Sequence, residues 1–220
     1  MNSSSISTVP WREMFLGKFL RMKLRKVEKP NESYLRLGVR SHGKGIFTTT
    51  VIDPDTVAMS HLFKVHTGDL IVSITFAWEG AIAMVTAEGD GALVSHRFPT
   101  YIFDKSKVLP EYFQYLMLSR RFFYDLGLIS PGGAGRNRVM SKQDFLKLKV
   151  QIPPIPEERK IADILFTWDE AIARTERLIA VLKARKKGFL QRLLTGQVRF
   201  PGFSQSDATQ EIKYGAIPAD

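Results

Sequence analysis

The chain has 220 residues, 44% hydrophobic and 25% charged, enough apolar material for one ordinary domain plus an appended element. It has no cysteine, which excludes disulfides and thiolate metal sites, and its four histidines, His42, His61, His66 and His96, lack tight metal-ligand spacing. A net charge of +10 favours phosphate backbones or anionic surfaces as partners, against the alternative that the charge serves solubility alone.

In chain order, residues 1–10 are Ser/Thr-rich and read as loose. Met14 to Leu20 is short and interrupted by Lys18, so it is no signal peptide. No window approaches the roughly 18–20 apolar residues of a membrane span, and a soluble cytoplasmic protein is expected. Residues 11–30 read as a strand or a short helix carrying Lys18, Arg21, Lys23, Arg25 and Lys26. From 34 to about 104 short apolar runs such as Leu70–Ile74 and Ala81–Val85 alternate with turn residues, a β pattern. Pro110 suits the first position of a helix from Glu111 to about Leu126. Residues 130–138, Ser-Pro-Gly-Gly-Ala-Gly-Arg-Asn-Arg, read as a flexible loop. A helical turn from Ser141, a strand near Leu148–Ile152 and a stiff Pro153-Pro154-Ile155-Pro156 connector follow.

After the connector, steps of four and three residues pass through Ile161, Leu165, Trp168, Ile172, Thr175, Ile179, Leu182, Lys186, Phe189 and Leu193. This is a heptad seam. A helix over Glu157–Thr195 would be roughly 58 Å long at about 1.5 Å per residue. Glu157 and Glu158 in its first turn, and Arg185-Lys186-Lys187 towards its end, carry the signs that a helix dipole favours. One reading packs this helix on its own domain. The favoured one pairs it with a helix of a second molecule, because the chain contains no other such helix. Residues 201–220 are polar with Gly and Pro and are expected to be partly disordered. The fold class is therefore α+β: a globular β-rich domain with helices, followed by one long coiled-coil-forming helix.

A search for chemistry finds no catalytic set. Gly132-Gly133-Ala134-Gly135 is followed by Arg136 and Asn137, not by the Lys-Ser or Lys-Thr of a phosphate loop. The Pro153-Pro154 pair is followed by Ile155, so an adenine-methyltransferase motif is absent, and Asp53, Asp55 and Asp69 suit turns and caps better than a metal. No cofactor is implied. Residues 1–150 hold 21 Lys/Arg against 13 Asp/Glu, whereas 151–220 hold 11 against 9, so the excess positive charge lies in the globular part. Candidate DNA contacts are Arg40, His42 and Lys44 in a glycine loop, His96-Arg97, Arg120-Arg121, and Arg136-Asn137-Arg138, where Arg suits guanine edges and Asn adenine edges. Lys23 and Arg25 are candidates for phosphate contact. The alternative for each stretch is a solvated surface or a turn; Arg136 and Arg138 are favoured among them because a glycine-rich loop lets the backbone approach a groove closely.

Three stretches resemble the specificity subunits of type I restriction-modification enzymes. Gly68–Ser73, Trp78–Ala81 and Val94–Pro99 resemble the target recognition domain. Gly135–Val139 with Ile152–Ala162 resembles the junction into the family's spacer helix, and Leu190–Gly196 resembles that helix's end. The resemblance implies a recognition domain over 1–152, a spacer helix over 153–200, and a tail, 201–220, that opens a second repeat. Tyr214–Asp220 looks like the family's repeat opening, as does Val9-Pro10-Trp11, so the chain reads as a natural half-subunit or a fragment cut at the repeat boundary. It also implies double-stranded DNA as ligand, methyltransferase and restriction subunits as partners, antiparallel pairing of two spacer helices (here a homodimer), and no catalysis by the chain itself. The rival reading is a coiled-coil interaction protein whose basic domain binds RNA or protein; a nuclease comes third.

Overall fold

The computed structural model describes residues 9–132, 138–203, 209–213 and 215–218. The chain separates into two compact units, Met1–Ile164 and Leu165–Asp220.

The first unit is organised around strands too apolar to face water on either side. Strand β1 (Arg12–Phe15) leads through a 3-10 turn into β2 (Leu20–Met22) and β3 (Arg25–Glu28); β4 (Tyr34–Val39) and β5 (Ile46–Val51) form a hairpin. Next come β6 (His61–Lys64), β7 (Leu70–Val72), β8 (Ile82–Met84), β9 (Leu93–Val94) and β10 (Thr100–Phe103). Four strands make an antiparallel sheet ordered β2-β10-β7-β8, and five make a mixed sheet ordered β3-β6-β9-β4-β5, with β4 and β9 parallel. Successive residues of a strand point to opposite faces. In β7, Leu70 and Val72 therefore join one core cluster, with Phe113, Phe122 and Phe145, while Ile71 joins another, with Leu37, Ile46 and Val94. A continuous apolar run is what a strand covered on both faces requires.

Helices cover one of those faces. The expected helix over 111–126 is two: α1 (Pro110–Leu116) and α2 (Arg120–Leu128). Ser119 breaks it. Its backbone is extended, and its hydroxyl accepts from the Phe122 N–H at 3.2 Å, an N-cap that offers the chain an alternative to continuing the first helix. Phe113 and Phe122 then meet edge to face at 5.8 Å between centroids. Arg120 and Arg121 consequently open a helix instead of lying within one. Ser141 caps α3 (Lys142–Leu146) through the Asp144 N–H.

Strand β11 (Lys149–Ile152) pairs with β1, bringing the two ends of this unit together. Helix α4 (Ile155–Leu194) follows, two residues earlier than expected. Pro156 sits in its first turn, where a missing N–H costs nothing, so only Pro153 and Pro154 remain as connector. The Trp11 indole donates to Glu157 at 3.1 Å, and Glu158, wholly buried, accepts the Leu109 N–H at the start of α1 at 2.7 Å. From residue 163 to 194 every residue of α4 except Gly188 is exposed. In the tail, β12 (Thr209–Ile212) and β13 (Gly215–Pro218) form a hairpin, where disorder was expected. The loose stretch expected at the N-terminus falls on residues 1–8, which lie outside the described residues, as do Tyr214, Ala219 and Asp220 of the proposed repeat opening.

Burial raises the Glu158 carboxyl above the ordinary range, with the Leu109 N–H and Arg12 pulling the other way. The folded state therefore holds this proton more tightly than the unfolded chain, and stability falls as pH rises from the ordinary carboxylate value through the raised one. Glu158→Gln keeps the acceptor without the buried charge, so its melting temperature should gain on the parent's across that rise. Glu158→Leu strands the Leu109 N–H and should cost about 1–3 kcal/mol in denaturant melts.

Candidate nucleic-acid interface

Strands β7 and β8 are joined by residues 73–81, and this connection gathers the basic loops. It contains a 3-10 turn, Ala77–Glu79, ended by Gly80 in the left-handed region at φ 72°. A Cβ on Gly80 would meet the Phe123 ring at 3.0 Å, so both conformation and contact favour glycine here. Four backbone hydrogen bonds radiate from the connection. The His42 and Gly43 N–H groups donate to the Glu79 and Gly80 carbonyls at 2.7 and 2.9 Å. The Ile74 N–H donates to Arg97 at 2.9 Å, and the Met140 N–H to Ile74 at 2.8 Å. The 40–45 loop, the 95–98 turn and the chain after Arg138 therefore share one support.

Within that group, Lys44, His96 and Arg97 are exposed, and His42 is exposed with a positive φ of 62°. The Lys142 ammonium donates to the His96 carbonyl at 3.4 Å. Arg138 lies across the face of Trp78, its guanidinium carbon 5.3 Å from the ring centroid. Arg40 is exposed, but its side chain is bonded to the Ile46 carbonyl and lies over the Phe47 ring at 5.4 Å, so it shapes the loop. Arg136 and Asn137 lie outside the described residues. Lys23 is exposed beside β10, its N–H on the Thr100 carbonyl. Arg25 is committed elsewhere: both terminal nitrogens bind the buried Asp69 carboxylate, at 2.6 and 3.1 Å, which leaves little of its guanidinium for a phosphate. Asp53 caps a turn through the Asp55 N–H, and among the described residues no group of three His, Asp or Glu could hold a metal.

The family model for the type I restriction modification DNA specificity domain matches residues 15–184, which include the whole connection and most of α4. The chain belongs to this family. Over 213 residues it is 25% identical to the type I restriction enzyme MjaVIII specificity subunit of Methanocaldococcus jannaschii, covering 96% of this chain and 47% of that one. The chain thus spans about half the length of this curated relative. The fold is that of the HsdS subunit from Thermoanaerobacter tengcongensis (TM-score 0.61, 19% identity, covering 95% of this chain and 55% of that one). It is also that of the type I restriction-modification S subunit from M. genitalium (TM-score 0.55, 12% identity, covering 86% and 47%). The α+β class expected from sequence is the one observed.

In this specificity-domain chain, Trp78 and Glu79 help form the support, whereas in the sequence they stood out only within the Trp78–Ala81 stretch of the family resemblance. Glu79 accepts the Ser41 hydroxyl at 2.7 Å, adding a side-chain tie to the two backbone ones. The available signal was a Trp-Glu-Gly triplet between two apolar runs. Among the described residues no helix is long and apolar enough to cross a membrane.

Gly43 is also left-handed, at φ 64°, and a Cβ there would fall 2.3 Å from Leu118. Gly43→Ala should lower stability by about 1–2 kcal/mol from backbone conformation alone, and should speed proteolytic cleavage within the 40–45 loop. His42→Gly relieves the same kind of conformation and should melt within about 1 kcal/mol of the parent.

Proposed function

We propose that this chain is a DNA-recognition unit of a type I restriction-modification complex: it binds a short duplex sequence, directs adenine methylation and cleavage by methyltransferase and restriction subunits, and catalyses nothing itself. The observation that carries this is the convergence of the His42–Lys44 loop, the His96–Arg97 turn and the chain around Arg138 on the β7–β8 connection. Basic side chains from separate loops on a rigid support suit a groove flanked by phosphates. In this reading residues 1–152 recognise DNA, 153–200 form the spacer, and the tail opens a second repeat. Arg136, Asn137 and Arg138 read bases, while Lys23 contacts phosphate.

The α4 seam supports the second half of the proposal. Trp168 is 66% exposed, Ile172 53%, Leu182 51% and Phe189 49%, with Leu165, Ile179 and Leu193 also exposed; Ile161, within the first unit, packs against its core. Apolar residues at heptad spacing are covered by a second helix. That helix comes from another copy of this chain, running antiparallel. A two-fold pair reads a gapped palindrome, and the 40-residue helix α4 of the spacer, about 60 Å at ~1.5 Å per residue, sets the half-sites more than one DNA turn apart.

Mapping methylated adenines in cells that express the chain with its methyltransferase subunit should return one gapped palindromic sequence; methylation without sequence preference would reject the reading. Arg136→Ala should relax preference at one base pair by about 1–3 kcal/mol, whereas Lys23→Ala should weaken all duplexes alike and lower the salt slope by about one. Ile172→Asp or Ile179→Asp should sediment as a monomer; an unchanged mass would reject the pairing.

A further inference from the structure

We infer that Trp78 is a positioning residue for DNA recognition: its indole face holds the Arg138 guanidinium so that the planar N–H edge, rather than the charge alone, is presented to a base. This rests on the reading of the chain as a DNA-recognition unit.

Both members of the stack are fixed from the same segment. The Trp78 indole N–H donates to the Thr75 carbonyl at 3.2 Å, which sets the ring's tilt, and its neighbours Glu79 and Gly80 accept backbone N–H groups from the 40–45 loop. On the other side Met140, only 2% exposed, donates its N–H to Ile74, so the backbone two residues beyond Arg138 is tied to the segment that carries Trp78. With its guanidinium carbon over the indole and 5.3 Å from the ring centroid, Arg138 lies within cation–π range, an attraction that a guanidinium meets through its flat face. The donors lie in the guanidinium plane, so stacking occupies the face and leaves the edge for two parallel bonds of the kind guanine accepts in the major groove. Carboxylate competition is also limited. Glu79, the nearest acid in sequence to Trp78, is bonded to Ser41, and among the described residues none pairs with Arg138.

Pre-orientation has a particular signature. A free arginine loses rotamer freedom when it engages a base, and a stacked one has lost much of it beforehand. The gain applies only to the base whose acceptors match the presented edge. Removing the ring should therefore flatten discrimination at one base pair rather than weaken all DNA.

The test uses the complex of the full chain with its methyltransferase subunit, and competition binding against duplexes varied one base pair at a time. Arg138→Ala should lose roughly tenfold or more at a single base pair. Trp78→Leu, which fills the space without a ring face, should lose roughly three- to tenfold at that same base pair. Trp78→Phe should restore most of the preference, and Trp78→Leu combined with Arg138→Ala should be no worse than Arg138→Ala alone. Equal behaviour of the Leu and Phe variants, a uniform loss on every duplex, or relaxation at a base pair that Arg138→Ala does not touch would each overturn the inference while leaving DNA recognition intact. A parent complex with no base preference would overturn both. Circular dichroism of each variant separates these outcomes from misfolding: were Trp78→Leu to unfold, Trp78→Met against Trp78→Phe would make the same comparison.

Discussion

Strands β7 and β8 are buried on both faces, and the rest of the first unit depends on that. Leu70 and Val72 pack towards α1, α2 and α3 while Ile71 packs towards the five-stranded sheet; Ile82 and Ala83 divide in the same way. Two adjacent strands enclosed like this can neither shift register nor tilt without exposing apolar surface. Residues 73–81 connect their ends, so the connection inherits the rigidity of the core although it is itself a loop. Loops held in this manner are where proteins place recognition, because precision comes from the scaffold and chemical variety from the loop.

The charge pattern follows the same division. Arg25 pairs with the buried Asp69 and braces the fold, and Arg40, though exposed, bonds the Ile46 carbonyl and lies over the Phe47 ring within its own loop. Lys44, Arg97 and Arg138 hang from the connection with their charge turned outward or across an aromatic face. A net charge can report that a nucleic-acid partner is plausible. It cannot sort structural arginines from those free to meet a phosphate, because that depends on which carboxylate folding brings within about 3 Å.

Helix α4 obeys a different rule. Only Glu158 and Ala162 within it are buried, and both lie in its first two turns. Those turns are tied to the first unit by the Trp11–Glu157 and Leu109–Glu158 bonds, while the seam beyond faces solvent. An apolar stripe of this length left in water is unfavourable, which is the physical reason to assign it a partner helix.

Much of this protein was legible in the amino-acid sequence because the signals were local. The heptad seam, the β punctuation from 34 to 104, the Ser141 cap and the family resemblance each rest on residues close together in the chain. The tertiary structure decided the rest. Whether 111–126 was one helix or two turned on Ser119, whose hydroxyl had to be set against the burial of Phe113 and Phe122 on a common face. The tail hairpin depended on backbone pairing that polar composition does not reveal. Arg25 looked as free as Lys23 until folding set Asp69, distant in sequence, against it. Trp78 stood out only as part of the family resemblance until Arg138 lay over its ring and the 40–45 loop bonded to its neighbours Glu79 and Gly80. Periodicity and caps act over a few residues and are written in sequence, whereas long-range ion pairs and stacks exist only once packing has brought distant segments together.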